Sequence, residues 1–185
     1  MFNKSLSISL PISLPISVSN LIFIGLSVLS FSISFSLGQP QWLIGTAVNA
    51  CLFLAIIFLP KKSILPLIIL PSLGVLSRGM IFGSFTIFLA YFLPFIWLSN
   101  FILIKVFEKL LSRLSYFSAV LIAATAKFLF LITVANIFFN FSLVPKVFLQ
   151  LMGINQFLTA LAGGVISWLI LNFYAKNNSG NRRIA

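Results

Sequence analysis

One lysine lies in the middle of a long apolar segment and is the residue most able to do chemistry. Lys127 is the only charged residue between Ser115 and Asn140. A lysine at the centre of a membrane-spanning helix costs about 2.5–3.5 kcal/mol on insertion scales, and such lysines usually face a cavity or a partner. We therefore expect its charge to be balanced by backbone carbonyls, water, another subunit or a bound anion. A neutral, desolvated lysine is the alternative.

Acidic and imidazole side chains are almost absent. The chain has no Asp and no His, and its one Glu, Glu108, lies in a basic connector between Lys105 and Lys109. We interpret Glu108 as a solvated residue at the membrane interface. General acid–base catalysis usually needs a His or a carboxylate, and metal sites need clusters of Cys, His, Asp or Glu. We therefore expect no enzyme, no catalytic residue, no bound metal and no cofactor.

Other polar side chains recur in or at the ends of the apolar segments. The set that we assign to ligand binding beside Lys127 is Asn49, Asn155, Gln156, Thr159 and Arg78. Further amides of the same kind are Gln41, Asn100 and Asn136. The alternative for each lone amide is a hydrogen bond between helices, worth about 0.6 kcal/mol on average.

The composition places the chain in a membrane. Of its 185 residues, 61% are hydrophobic and 7% are charged, and the mean hydropathy is +1.18. A soluble domain carries about 25% charged residues. The net charge of +11 comes from basic residues that fall singly or in pairs between apolar runs, as topology determinants do, so we expect no nucleic-acid partner. Cys51 is alone in an apolar segment, where a small packing thiol is the simplest interpretation.

The apolar runs predict an all-α integral membrane protein, a single transmembrane domain over residues 1–185. Pro11 and Pro15 argue against a helix before about residue 16, so we expect 1–16 to be irregular, and 176–185 to be a polar cytoplasmic tail. The third apolar run holds Pro66 and Pro71, and we expect it to be short, broken or partly re-entrant. The predicted bundle of about six transmembrane helices spans 17–37, 41–59, 63–77, 80–106, 115–140 and 147–175.

The distribution of Lys and Arg predicts the orientation. With six helices and a cytoplasmic N-terminus, nine of the 12 basic residues fall inside, two (Arg78 and Lys146) fall outside, and the last is Lys127. Cytoplasmic connectors carry the excess of Lys and Arg in membrane proteins. We therefore expect both termini in the cytoplasm of a multi-pass protein of the cell membrane. A five-helix arrangement would place the basic C-terminal tail outside and so reduce the excess of Lys and Arg on the cytoplasmic side.

Small residues four positions apart predict close helix packing. Ser30 and Ser34 form such a pair on the first helix, and the segment TALAGG at 159–164 holds two pairs that end at Gly163 and Gly164. We assign Ser30, Ser34, Gly163 and Gly164 to packing against a partner.

A resemblance to a known family rests on two segments, MGINQFLTALAGG (152–164) and QWLIGTAVNACLF (41–53). The six predicted helices and the basic cytoplasmic side support it. The chain resembles the substrate-binding S component of energy-coupling factor (ECF) transporters. Within that family it is most similar to a bacterial group sometimes labelled "iron hydrogenase". That label does not fit, because an iron–sulfur cluster needs about four Cys thiolates and the chain has one Cys.

The resemblance implies a vitamin-like or metal substrate that binds among the helices near the outer face. A transmembrane T component and two ATPase subunits would drive transport, and Ser30 and Ser34 would stand in for the family's Ala-x-x-x-Ala docking pattern. Metal-transporting members use His and Asp ligands, which this chain lacks, so a metal substrate is not expected.

Three functional hypotheses follow. The leading one is an S-component-like subunit that binds a small anionic or carboxylate-bearing nutrient at Lys127, with Arg78 and Lys146 attracting the anion. The second is a non-catalytic structural or assembly subunit, in which Lys127 pairs with a carboxylate of a larger membrane complex. The third is an enzyme acting on lipids, for which the chain offers no catalytic set.

Overall fold

The structure, a computed structural model, describes residues 14–37, 41–82 and 86–181. Most of the irregular segment expected at 1–16, and the last residues of the tail expected at 176–185, lie outside these ranges. All regular structure within them is helical, as the sequence predicts, and a 3₁₀ turn at Lys61–Ser63 precedes the third helix. The α-helices are α1 (Ile16–Ser36), α2 (Gln41–Phe58), α3 (Ile64–Phe82), α4 (Thr86–Leu111), α5 (Tyr116–Asn140), α6 (Val147–Met152) and α7 (Ile154–Asn181).

Six helical spans of the described ranges are long and apolar enough to cross a membrane, α6 and α7 forming the last one together. The prediction of an all-α bundle of six transmembrane helices is therefore confirmed, and the chain is a multi-pass membrane protein. The outer surface is apolar, because side chains such as Leu21, Ile24 and Leu169 are about half exposed or more. Lipid solvates such a surface, which is why no polar face is needed on these helices.

Helix α2 forms the centre of the bundle. Its residues from Val48 onward are all buried, and it contacts α1, α3, α4 and α7. An evenly apolar sequence makes this possible, since a helix that is hydrophobic on all sides can be surrounded by others. Phe53 of α2 packs edge-on against Phe107 of α4, with 4.7 Å between ring centroids. The elements around α2 are therefore the ones that can position a buried site.

Helix α3 is continuous, so the expectation of a short, broken or re-entrant third segment is wrong. Pro66 lies in the first turn of α3, where a backbone N–H has no acceptor within the helix and its loss costs little. Pro71 lies inside the helix and removes a single hydrogen bond without ending it.

The last span is divided in two, whereas one helix over 147–175 is predicted. The break falls at Gly153, between α6 and α7. A Cβ atom there would lie 2.5 Å from the Leu149 carbonyl oxygen and 2.8 Å from Cδ1 of Ile132. Only glycine allows the chain to approach α5 this closely. The break begins a new helix, whose first two turns contain Gln156 and Thr159.

Basic residues cluster at one end of the bundle. The Nζ atom of Lys61 lies 2.7 Å from Oε1 of Glu108, so the start of the third span and the end of α4 reach the same end. We call this region the basic end and define it by its cations, which are Lys61, Lys62, Lys105, Lys109 and Arg113. That it faces the cytoplasm remains a prediction.

Candidate functional site

Lys127 lies near the middle of α5 and is 2% exposed. Its Nζ atom donates one hydrogen bond to Oδ1 of Asn49 on α2 and another to Oδ1 of Asn100 on α4, each with a donor–acceptor distance of 2.8 Å. Three helices therefore meet at one ammonium group. Both acceptors are neutral amide oxygens, which stabilise a cation without cancelling its charge.

The amide of Asn49 is held in a fixed orientation by α2 and α7. Its Nδ2 atom donates to the carbonyl oxygen of Gly45 at 2.8 Å and to Oγ1 of Thr159 at 3.3 Å. The Thr159 hydroxyl in turn donates to the main-chain carbonyl of Gln156 at 3.2 Å. Because both amide hydrogens are used, the remaining Oδ1 points to Lys127 as an acceptor.

Two glycines bring α2 and α7 close enough for these contacts. A Cβ atom on Gly163 would lie 2.7 Å from Cβ of Asn49 and 2.8 Å from the backbone nitrogen of Ala50. A Cβ atom on Gly45 would lie 3.0 Å from Oγ1 of Thr159. Small residues at a helix interface allow backbones to approach and polar groups to bond across it. The segment TALAGG thus supplies both the hydroxyl and the space around it.

Most buried residues that lie near Lys127 and Asn100 along α5 and α4 are apolar, and Ser99 is the polar exception. Buried neighbours in sequence and one turn away on α4 and α5 include Leu103, Ile104, Ala123, Ala124 and Leu131. Glu108 lies eight residues beyond Asn100 on α4, about 12 Å along the axis at 1.5 Å per residue. It is bound by Lys61 and Lys105 at 2.7 and 3.4 Å. Lys127, if protonated, is therefore a cation without a carboxylate partner in the described ranges.

An ammonium group carries three hydrogens, and two of them are used here. The third can serve a further acceptor. Among the ligands that could supply one, an anion gains most, because the surrounding low dielectric strengthens attraction between opposite charges. Chemically, a protonated Lys127 in this arrangement can bind and orient an anion, whereas a neutral Lys127 amine would be a nucleophile with no carboxylate or imidazole beside it among the described residues.

The predicted ligand-binding residues divide into two groups. Lys127, Asn49 and Thr159 are brought together by their side chains, and Gln156 takes part through its main-chain carbonyl. Asn155 is half-buried in the first turn of α7, and its side chain is not one of the hydrogen-bonding groups described above. Arg78 lies apart on α3, where Nη1 donates to the carbonyl oxygens of Phe35 at 3.3 Å and Ser36 at 2.7 Å. It therefore caps the end of α1.

The small residues assigned to a partner pack within the chain. Ser30 and Ser34 are buried, and a Cβ atom on Gly74 of α3 would lie 3.0 Å from Cβ of Ser34. Gly163 faces α2, and Gly164 faces Val120 of α5. A partner helix could reach these faces only by displacing a helix of this chain.

Asn100 is the group that the sequence-based assignment leaves out of the site. It is the only amide of the predicted fourth helix, 80–106, and the structure buries it to 3% exposure against Lys127. The sequence does contain a signal for this contact, because the fourth predicted helix has a single amide and the fifth has a single charge. An antiparallel neighbour is the commonest partner of a helix joined by a short connector, and α4 and α5 are such a pair.

A separate apolar groove of about 180 Å³ lies between α1, α2 and α7. Its lining residues include Leu26, Leu43, Ala50 and Ile166, and Lys127 is not among them. The groove has almost no polar surface and offers nothing to bind an anion. The Lys127 group therefore remains the candidate site.

Comparisons with protein-family models, with curated proteins and with solved structures find no match to this chain.

Proposed function

We propose that the chain is a substrate-binding subunit of an ECF-type importer in the cell membrane and that it binds a small, vitamin-like anion at Lys127. The observation that supports this most is the buried ammonium, which contacts two amide oxygens and no carboxylate. Intramembrane ionisable residues are costly and commonly mark substrate pathways. A carboxylate ligand would accept the third hydrogen and neutralise the charge.

The divided last span supports the same proposal. Helix α7 begins at Ile154, one and a half turns before Thr159, which bonds to Asn49. The N-terminus of a helix carries a partial positive charge, and broken membrane helices commonly direct such ends at anionic substrate groups. Ligand entry would separate α7 from α2 and α5, and the break at Gly153 is the natural place for such a movement.

Energy for transport would come from other subunits. The chain has no phosphate-binding motif G-x-x-x-x-G-K-[ST], which P-loop ATPases need. A T component and ATPase subunits are therefore part of the proposal, as the resemblance to S components implies. The surface available to them in this structure is the exposed apolar exterior, because Ser30 and Ser34 are both buried and Ser34 packs against Gly74 of α3.

A second candidate is a structural subunit in which the Lys127 group only joins helices. It is favoured by the two 2.8 Å hydrogen bonds that the ammonium makes within its own chain. Pairing with a carboxylate of another protein is less favoured, since Lys127 is 2% exposed and is surrounded by helices of this chain.

Ligand-induced stabilisation separates the two candidates. The full chain, purified in detergent, is heated with pairs of probes that differ chiefly in charge, such as nicotinate with nicotinamide and pantothenate with pantothenol. Small molecules released from the purified protein are identified by mass spectrometry in parallel. A binding subunit is expected to yield a bound anion, or a higher Tm with an acid than with its neutral counterpart.

The substitution Lys127→Met is the decisive variant. Loss of a charge-assisted hydrogen bond, worth about 1.5–3 kcal/mol, should weaken binding of the anion at least about tenfold. Lys62→Met, which removes an exposed cation from the basic end, is the matched control and should bind the anion normally. Absence of any released anion and equal Tm values for acids and neutral analogues would favour the structural candidate.

A further inference from the structure

The basic end carries more positive charge than its carboxylate can balance. Glu108 contacts Lys61 at 2.7 Å and Lys105 at 3.4 Å, so a single acidic group brings together cations from two separate elements. Lys62, Lys109 and Arg113 add three more positive charges nearby in the chain. Because Glu108 is the only acidic side chain of the sequence, this cluster keeps a large positive excess.

One exposed face of α4 changes from apolar to basic towards this end. Leu98 is 46% exposed and Phe101 is 45% exposed, while Lys105 and Lys109 are the next exposed residues on the same face. The spacing of three and four residues places them one above another on the helix. The Nζ atom of Lys105 lies 5.5 Å from the centroid of the Phe101 ring. The face therefore presents cations directly above apolar side chains.

We propose that this face binds an anionic phospholipid. The phosphodiester would contact Lys105 and Lys109, with Lys61 and Lys62 alongside, and the upper acyl chains would lie on Leu98 and Phe101. The cations lie at the ends of membrane-crossing spans, which end at Leu111 and begin at Lys61, and this is the depth of lipid headgroups. An acidic protein would match the cations but would leave the adjoining apolar side chains without a counterpart.

Native mass spectrometry of the full chain in detergent tests this, with phosphatidylglycerol and phosphatidylcholine of identical acyl chains as probes. The wild type is expected to retain phosphatidylglycerol more strongly. Lys105→Gln combined with Lys109→Gln should weaken that binding about thirtyfold, since each cation near a lipid surface contributes about a fivefold factor. Binding of phosphatidylcholine should not change. Lys105→Arg with Lys109→Arg, which keeps the charge, should bind like the wild type.

The control is Lys146→Gln, which removes a cation from the connector between α5 and α6 and should leave phosphatidylglycerol binding intact. If the first Gln pair does not fold, Lys62→Gln with Arg113→Gln removes two cations that form no ion pair with Glu108, and a weaker loss in the same direction is expected. The proposal is overturned by equal affinity of the wild type for both lipids, by unchanged binding in both Gln pairs, or by an equal loss in the control.

Discussion

Removing an acceptor of Lys127 should lower the stability of the protein more than removing Lys127 itself. Asn100 supplies one of two acceptors for a buried ammonium. Asn100→Leu should therefore destabilise the protein by about 3 kcal/mol, because a buried donor left without its partner carries the full desolvation penalty. The measurement is the Tm of the purified variant in the same detergent as the wild type.

Replacing Lys127 while keeping its acceptors should lower the stability of the protein little. Lys127→Met removes the buried charge itself and leaves neutral amides that can be accommodated more easily, so its Tm should equal or exceed that of the wild type without ligand. Combined with Asn100→Leu, it should recover most of the loss caused by Asn100→Leu alone, which a double-mutant cycle measures. Additive losses in the double variant would contradict the assigned bonding.

At the residue scale the sequence singles out the buried cation but not all of its hydrogen-bond partners. The lone charge of Lys127 in an apolar run is visible directly, and TALAGG points to Thr159. Asn100 could not be assigned, because its importance depends on which face of α4 meets α5. For Arg78 the structure adds a contact that the sequence does not indicate, with the C-terminal carbonyls of α1, because a cation near a span end can interact with a helix terminus.

Helix α7 can pack closely against α2 because Gly163 has no side chain. Gly163→Val would place atoms within 3 Å of Asn49 and Ala50, and overpacking of this kind costs about 1–3 kcal/mol. The expected result is a lower Tm and weaker binding of any ligand held at Lys127. Gly25→Ala is the control, because a Cβ atom there has nothing within 4 Å and alanine favours the helix by about 1 kcal/mol over glycine.

The helix boundaries show why some elements are easier to predict than others. Spans ended by charges or proline, such as the second and fifth, agree with the structure within one residue. Helix α4 runs on to Leu111, where Glu108 holds its last turns between Lys61 and Lys105. The break at Gly153 escaped prediction because its cause is a contact with Ile132, which is distant in sequence.

The whole molecule has one end far more basic than the other, and this allows a test of orientation. In a background with Cys51→Ala, single cysteines are placed at Lys62 in the basic end and at Lys146 in the connector between α5 and α6. A membrane-impermeant maleimide should label Lys146→Cys in intact cells, whereas Lys62→Cys should react only after the membrane is opened. Labelling in the reverse order would contradict the predicted orientation.

The order of the hydrogen-bonding partners along the chain has a consequence for biosynthesis. Asn49 and Asn100 both precede Lys127, and only Thr159 follows it. N-terminal segments are made first, so both amide acceptors are synthesised before α5. With the highest mean hydropathy of the six spans, 2.1, α5 can enter lipid despite its cation. A nascent chain that has reached Asn140 already contains both amide acceptors of the ammonium, and Thr159, which orients Asn49, is added later.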